Sequence, residues 1–142
     1  MREVVVSVTG VQQDQAGEEN RQELVAAGRY YQKNNIDYIR YAESAASGLA
    51  GTQTILKIND QQLTLLRMGK VEQKLVFQLD RVSDSLYRTP LGDFNLSVKT
   101  NELVIQLADG CGQIQITYEL IIDGQWQSMN QLVIVIQEEQ KS

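Results

Sequence analysis

The sequence predicts an all-β protein, a closed antiparallel up-and-down β-barrel of about 8–11 strands, and three observations carry that expectation. Apolar residues alternate with polar ones along most of the chain, at the two-residue period of a strand with one face in a core. Gly, Asn and Asp fall between these runs at hairpin spacing. The connections so defined are mostly short, which favours a meander over a sandwich with Greek-key crossovers. A flat open sheet of this many strands would leave long apolar edges, so closure is expected.

Taken in order, Arg2 to Gln12 opens with a short apolar run that lacks a small-residue cleavage pattern, which makes it a strand and not a signal peptide. Gln12 to Gln22 is polar and reads as a longer connection. Glu18 to Ala27 is open to a short helix, but Tyr30 and Tyr31 favour a strand over Glu23 to Gln32. Strands follow over Ile36 to Ala42, Thr52 to Ile58, Gln62 to Met68 and Val71 to Leu79, set off by Asn34-Asn35, Asn59-Asp60 and Gly69. Ser44 to Gly51 is rich in small residues and reads as a flexible loop or one helical turn. Leu86 to Thr89 and Asp93 to Thr100 come next, with Pro90 as an edge or bend between them. Phe94, Leu96 and Val98 alternate in the second of these, and Leu103, Ile105 and Leu107 define a separate strand. Asp109-Gly110 and Asp123-Gly124 bracket Gln113 to Ile122, and Gln125 to Gln137 closes the series, with Trp126 as a barrel plug or rim cap.

A chain of 142 residues makes a single domain, residues 1–142. Its 42% hydrophobic and 22% charged residues are ordinary for a globular protein. With a net charge of -5 the sequence argues against nucleic acid or an anionic membrane as main partner, leaving only local basic patches. The count of zero His and one Cys removes intramolecular disulfides, His-dependent triads and the usual zinc ligand sets. No nucleotide-binding loop, dinucleotide fingerprint or nucleophile elbow is present, so no cofactor or metal is expected and an enzyme is the least supported class. Cys111 lies between two glycines with nothing basic adjoining it in sequence and reads as an incidental turn residue. The lone thiol, and the lack of an apolar run near the roughly 20 residues that cross a bilayer, point to the cytoplasm.

Several local patterns add a family resemblance that spans nearly the whole chain. They are Gly28-Arg29-Tyr30-Tyr31 with Tyr38 and Tyr41, Thr54-Ile55-Leu56-Lys57, Leu66-Arg67-Met68-Gly69, Tyr87-Arg88-Thr89-Pro90-Leu91-Gly92 ahead of Phe94, and Gly112-Gln113-Ile114-Gln115-Ile116-Thr117-Tyr118. In their order and spacing these resemble the small bacterial YwiB-like family. The resemblance implies a calycin, or lipocalin-like, closed barrel of unknown function. The Gly-x-Trp of true lipocalins is missing near the first strand, so carriage of retinoid-like or haem-like ligands is not implied.

Candidate binding residues come from cations that interrupt strand patterns. Arg40 shares a face with Ile36 and Tyr38, and Arg67 with Leu63 and Leu65. A guanidinium turned into a barrel must meet a carboxylate, carbonyls, water or an anion, because unpaired burial costs several kcal/mol. The expectation is that Arg67, with Arg40, Lys57, Arg88 and the hydroxyls of Tyr30, Tyr38 and Tyr87, lines an open barrel end that receives a small anionic or amphipathic molecule. The bland reading is that these side chains snorkel to solvent or form internal ion pairs. A non-enzymatic small-molecule binding module is therefore the first reading of function. The second is a protein-interaction or structural module that uses an outer face or strand edge, and a homodimer is left open.

Overall fold

The computed structural model describes residues 2–44 and 49–139, and ten strands account for most of them. In chain order they are β1 (Arg2–Asp14), β2 (Glu19–Lys33), β3 (Ile36–Ala42), β4 (Thr52–Asn59), β5 (Gln62–Gly69), β6 (Gln73–Gln78), β7 (Val82–Thr89), β8 (Gly92–Ala108), β9 (Cys111–Ile122) and β10 (Gln125–Glu138). All pair antiparallel in one sheet of order β6-β5-β4-β3-β2-β1-β10-β9-β8-β7. Sequence neighbours are thus sheet neighbours except at β6 and β7, and the first strand pairs with the last.

The two edges meet at one bridge, where the Glu72 and Arg88 backbones exchange hydrogen bonds of 2.9 and 2.8 Å. Beyond it, the turn after β6 is tied to β8: Asp80 N–H donates to the Thr100 carbonyl at 3.0 Å and Thr100 N–H to the Arg81 carbonyl at 3.1 Å. The result is a nearly closed barrel, as the sequence predicts. Its interior is filled from eight of the ten strands by Val4, Val6, Ile39, Leu56, Leu63, Phe77, Leu96, Ile114, Ile116 and Ile134, all 2% exposed or less. The Phe77 ring meets Tyr118 edge-on, with centroids 4.9 Å apart.

The two-residue turns follow from residues that tolerate positive φ. Asn34 and Asn35 sit at 54° and 64°, and Asp123 and Gly124 at 50° and 80°, the handedness that matches the twist of the strands they join.

Three sequence expectations are corrected. The polar stretch from Gln12 to Gln22 is not a connection. β1 runs to Asp14 and β2 starts at Glu19, and the Asp14 carboxylate closes the turn by accepting from the N–H groups of Ala16 and Glu18, both at 2.9 Å. This hairpin tip stands in water on both faces, so hydrophobic alternation fades while the ladder continues. The segments Asp93 to Thr100 and Leu103 to Leu107 are one strand. Asn101 is an extra residue, since Thr100 opposes Tyr118 and Glu102 opposes Thr117, and this bulge flips the inward set from even to odd numbers. Trp126 neither plugs nor caps the barrel. It precedes a second bulge, opposes the outward Ile121, and its indole N–H donates to Glu119 Oε1 at 3.1 Å on the outer wall. Of the segment Ser44 to Gly51, residues 45–48 lie outside the described residues, while Ala50 and Gly51 form a turn.

Truncating Phe77 to Ala should lower unfolding free energy by ~3–5 kcal/mol in urea denaturation, since the ring is fully buried at the centre of the barrel. A loss under ~1 kcal/mol would mean that the neighbouring strands collapse into the space.

Candidate functional site

One end of the barrel is sealed and the other is open. At the sealed end Arg2 reaches across from β1 to the turn between β8 and β9, where it donates to the Asp109 carbonyl and meets Asp109 Oδ2 at 3.1 Å. Its guanidinium carbon lies 4.8 Å from the Tyr30 ring centroid, and the Tyr30 hydroxyl donates to Asp37 Oδ1 at 2.7 Å. Arg2 Nη2 also stands 4.0 Å from Cys111 Sγ, so folding gives this thiol a cationic neighbour that its sequence context lacks. Tyr30 is 9% exposed, and burial followed by the Asp37 hydrogen bond pushes its hydroxyl up to about 12.

The open end holds a cavity of about 230 Å³. Leu24, Leu75, Leu120 and Leu132 supply its apolar walls, and Gln12, Gln22, Gln73 and Asn130 supply amides. At its floor lie Arg67 and Glu43. Arg67 follows Leu63 and Leu65 on the inward face of β5, as expected. Glu43 comes directly after β3 on the parity of Ile39 and Tyr41, which carries it inward, and its side chain is 2% exposed against 22% for Arg67. Arg67 Nε stands 3.7 Å from Glu43 Oε1 and Arg67 Nη1 donates to Gln73 Oε1 at 2.6 Å. The Thr54 hydroxyl donates to Glu43 Oε1 at 2.5 Å. Nε of Arg67 is itself buried without a hydrogen-bond acceptor. Burial, reinforced by the Glu43 carboxylate, raises the Tyr41 hydroxyl well above its ordinary value, and burial raises that of Tyr118, with the Arg67 charge opposing in both.

The expected set of seven residues therefore separates. Arg67 lines the cavity. Tyr87 packs against the core on the inner face of β7, and Tyr30 faces inward at the sealed end. Arg40 and Tyr38 belong to the outward face of β3, because Ile39 and Tyr41 take the core side. Lys57 likewise faces out, since Thr54, Leu56 and Ile58 hold the inner face of β4. Arg88 is exposed on β7. In β3 and β4 both faces carry large apolar groups, so alternation left the inward parity ambiguous, and Glu43 was missed with it.

Asymmetric access makes the two halves of the ion pair unequal. Arg67→Met strands a carboxylate that is only 2% exposed and should cost ~3–5 kcal/mol, while Glu43→Gln leaves a guanidinium that is 22% exposed and can turn to solvent, and should cost less. Combining the two changes should recover most of the loss in chemical denaturation; equal costs that simply add would refute the coupling. The phenols make a second expectation. A raised folded-state value means that the native state holds its proton more tightly, so this stabilisation is complete below pH ~10 and is lost as pH rises through about 12 for Tyr30. In an absorbance titration of native protein Tyr30, Tyr41 and Tyr118 should ionise late, with unfolding; six phenols titrating together near pH ~10 would contradict it.

Comparison with known proteins fits this architecture. The uncharacterized beta-barrel protein YwiB of Bacillus subtilis (strain 168) is 24% identical over 112 residues, which are 79% of this chain and 78% of that protein. The crystal structure of ywiB protein from Bacillus subtilis shares the fold with a TM-score of 0.86 at 23% identity, covering 98% of this chain and 93% of that one. A family model described as a domain of unknown function, DUF1934, matches residues 6–134. With a match that spans nearly all ten strands, the chain belongs to the DUF1934 family of β-barrel proteins, whose function is unknown.

Proposed function

We propose that the protein is a non-enzymatic, cytoplasmic binding module whose open barrel end takes a small amphipathic molecule. The observation that carries this reading is the Arg67–Glu43 pair at the floor of a partly apolar cavity. Desolvating two charges costs more than a hydrophobic pair of similar volume would, and the fold has no topological need for them there. Leucine walls and an amide-rich rim around a charged floor suit a ligand with an apolar body and a polar head. The cavity is smaller than the ~300 Å³ at which drug-sized pockets begin, so the ligand is small. Glu43 cancels the charge of Arg67, which shifts the sequence-based expectation away from a simple anion and towards a net-neutral head that donates to Glu43 and accepts from the exposed part of the Arg67 guanidinium. The alternative, an interaction module, draws on Leu79, Val82, Leu86 and Leu91, each at least 43% exposed along β7 and its flanking turns.

Because Trp126 lies on the outer wall, amide chemical shifts are a better probe than its fluorescence. Titration with hexanamide, hexanol and hexanoate should give saturable shifts at Tyr41, Tyr118 and Leu132, strongest for hexanamide, and Leu132→Trp should abolish them by filling the space. Absence of saturable shifts with all three, or shifts that persist in Leu132→Trp, would remove the proposal; a preference for hexanoate would restore the anion.

A further inference from the structure

The cations that the barrel turns outward converge on one face. Arg29, Lys33, Arg40 and Lys57, four of the 13 Lys and Arg residues, occupy outward positions on the adjacent strands β2, β3 and β4. No Asp or Glu stands at an outward position of β3 or β4, or of β2 from Ala27 to Lys33. In a chain with 18 acidic residues this is a marked local excess. Among the described residues the ion pairs within 4.0 Å involve Arg2, Arg21, Arg67 and Lys99, and none of these four. Arg29 sits directly opposite Arg40 across the β2–β3 ladder, and like charges so placed destabilise a sheet. Glu3 is opposite Arg29 on the other side but forms no ion pair with it. No ion pair within 4.0 Å offsets this repulsion among the described residues.

Two aromatic rings complete the face. Tyr31 and Tyr38, paired across the same ladder, stack with centroids 4.8 Å apart and planes 5° from parallel. The Lys57 ammonium stands 5.9 Å from the Tyr38 centroid. Arg40 is held in place, since its Nε and Nη2 both donate to Gln53 Oε1, at 2.9 and 2.7 Å. Arg40 and Lys57 are diagonal neighbours on adjacent strands, because Lys57 opposes Tyr38 and Arg40 opposes Ile55. Diagonal positions lie ~7–8 Å apart at the backbone; Arg40 leans towards Gln53 and Lys57 towards Tyr38, and the Lys57 stem is long enough to swing to a phosphate held at the Arg40 Nη1 that Gln53 does not take. A shallow depression of about 480 Å³ runs along the Arg29–Arg40 row, with Gln53, Glu3 and Glu139 also on its wall. The acids share this depression with Arg29 and Arg40, while Lys57 and Tyr38 lie outside it.

We propose that the outer face of β2–β4 is a second binding site, separate from the barrel cavity, that takes a nucleotide unit: an aromatic base on the Tyr38 face opposite Tyr31, where it displaces the Lys57 ammonium, and a phosphate that Lys57 and Arg40 then share. Stacking suits any base because every base has a π-face, and the two cations recognise phosphate by charge. With a net charge of -5 the whole molecule repels long polyanions, so the site takes a free nucleotide or a short single strand and not a duplex.

The test uses the intact protein at low salt, titrated with ATP, tripolyphosphate and a short single-stranded oligouridine, with amide shifts and calorimetry as readouts. ATP should shift Tyr31, Tyr38, Arg40 and Lys57 saturably, with affinity that falls as salt rises. Tyr38→Ala should weaken ATP by about tenfold while leaving tripolyphosphate unchanged, and Arg40→Ala should weaken both. Leu132→Trp, which fills the cavity without touching the ion pair, should change none of them, so failure of this site and failure of the cavity reading are distinguished. Circular dichroism of the exposed-site variants should match the parent. Oligouridine binding much tighter than ATP identifies a strand as the source, and equal binding a free nucleotide; either supports the site. Tripolyphosphate binding as tightly as ATP, indifference of ATP to Tyr38→Ala, or no saturable response would overturn it.

Discussion

The ladder between β1 and β10, registered from Val4 opposite Glu138 to Asp14 opposite Ser128, is the constraint on which the rest of the molecule hangs. Without it the chain would be two separate meanders, β1 to β6 and β7 to β10, each curled but each with two open edges. An isolated half could not cover its own apolar face, and its edge N–H and C=O groups would be left to water or to other chains. Joining the halves puts Val4, Val6, Ile134 and Ile136 at the centre of one wall and brings β6 back towards β7. The bridge between Glu72 and Arg88 and the tie at Thr100 are then enough to hold the remaining seam, because the chain itself already links the two edges there.

Closure also produces two unlike ends. The residues that meet at the Arg2 end pair closely, with only Arg2 Nε among them left without an acceptor: a guanidinium, a tyrosine ring with its hydroxyl paired, and the carbonyl and carboxylate of Asp109. At the Arg67 end the long β1–β2 hairpin stands above the rim and the side chains do not fill the mouth, so charged and amide groups remain around an empty volume. A barrel that is packed at one end and hollow at the other gives polar groups a place to be buried without being used up by the fold.

The bulges act on function through direction. At Asn101 one extra residue turns β8 over so that Leu103 and Leu107 join the core after Leu96 and Val98, and the freed Asn101 amide donates to Glu119 Oε2 at 3.2 Å on the outer wall. Near Trp126 a second register shift sends the indole to that same carboxylate. Both were written in the sequence only as a change of phase, and a change of phase reads equally well as two strands with a turn between.

By itself the sequence determined the class of the fold, since period-two alternation in β8, β9 and β5 and the Asn-Asn and Asp-Gly turns admit little else. It also put Arg67 on the face shared with Leu63 and Leu65, which is the face the barrel turns inward. What only the tertiary structure decided was the inward parity of strands that are apolar on both faces. In β3, Ile36 and Tyr38 compete with Ile39 and Tyr41, and a shift of one residue reverses every side chain. The neighbours in register settle that choice, and so decide that Glu43 goes in to meet Arg67 while Arg40, Lys57 and Tyr38 go out. The pairing partners on β2 and β4, up to 13 and 21 residues away, carry that information, and the alternation within β3 does not encode it.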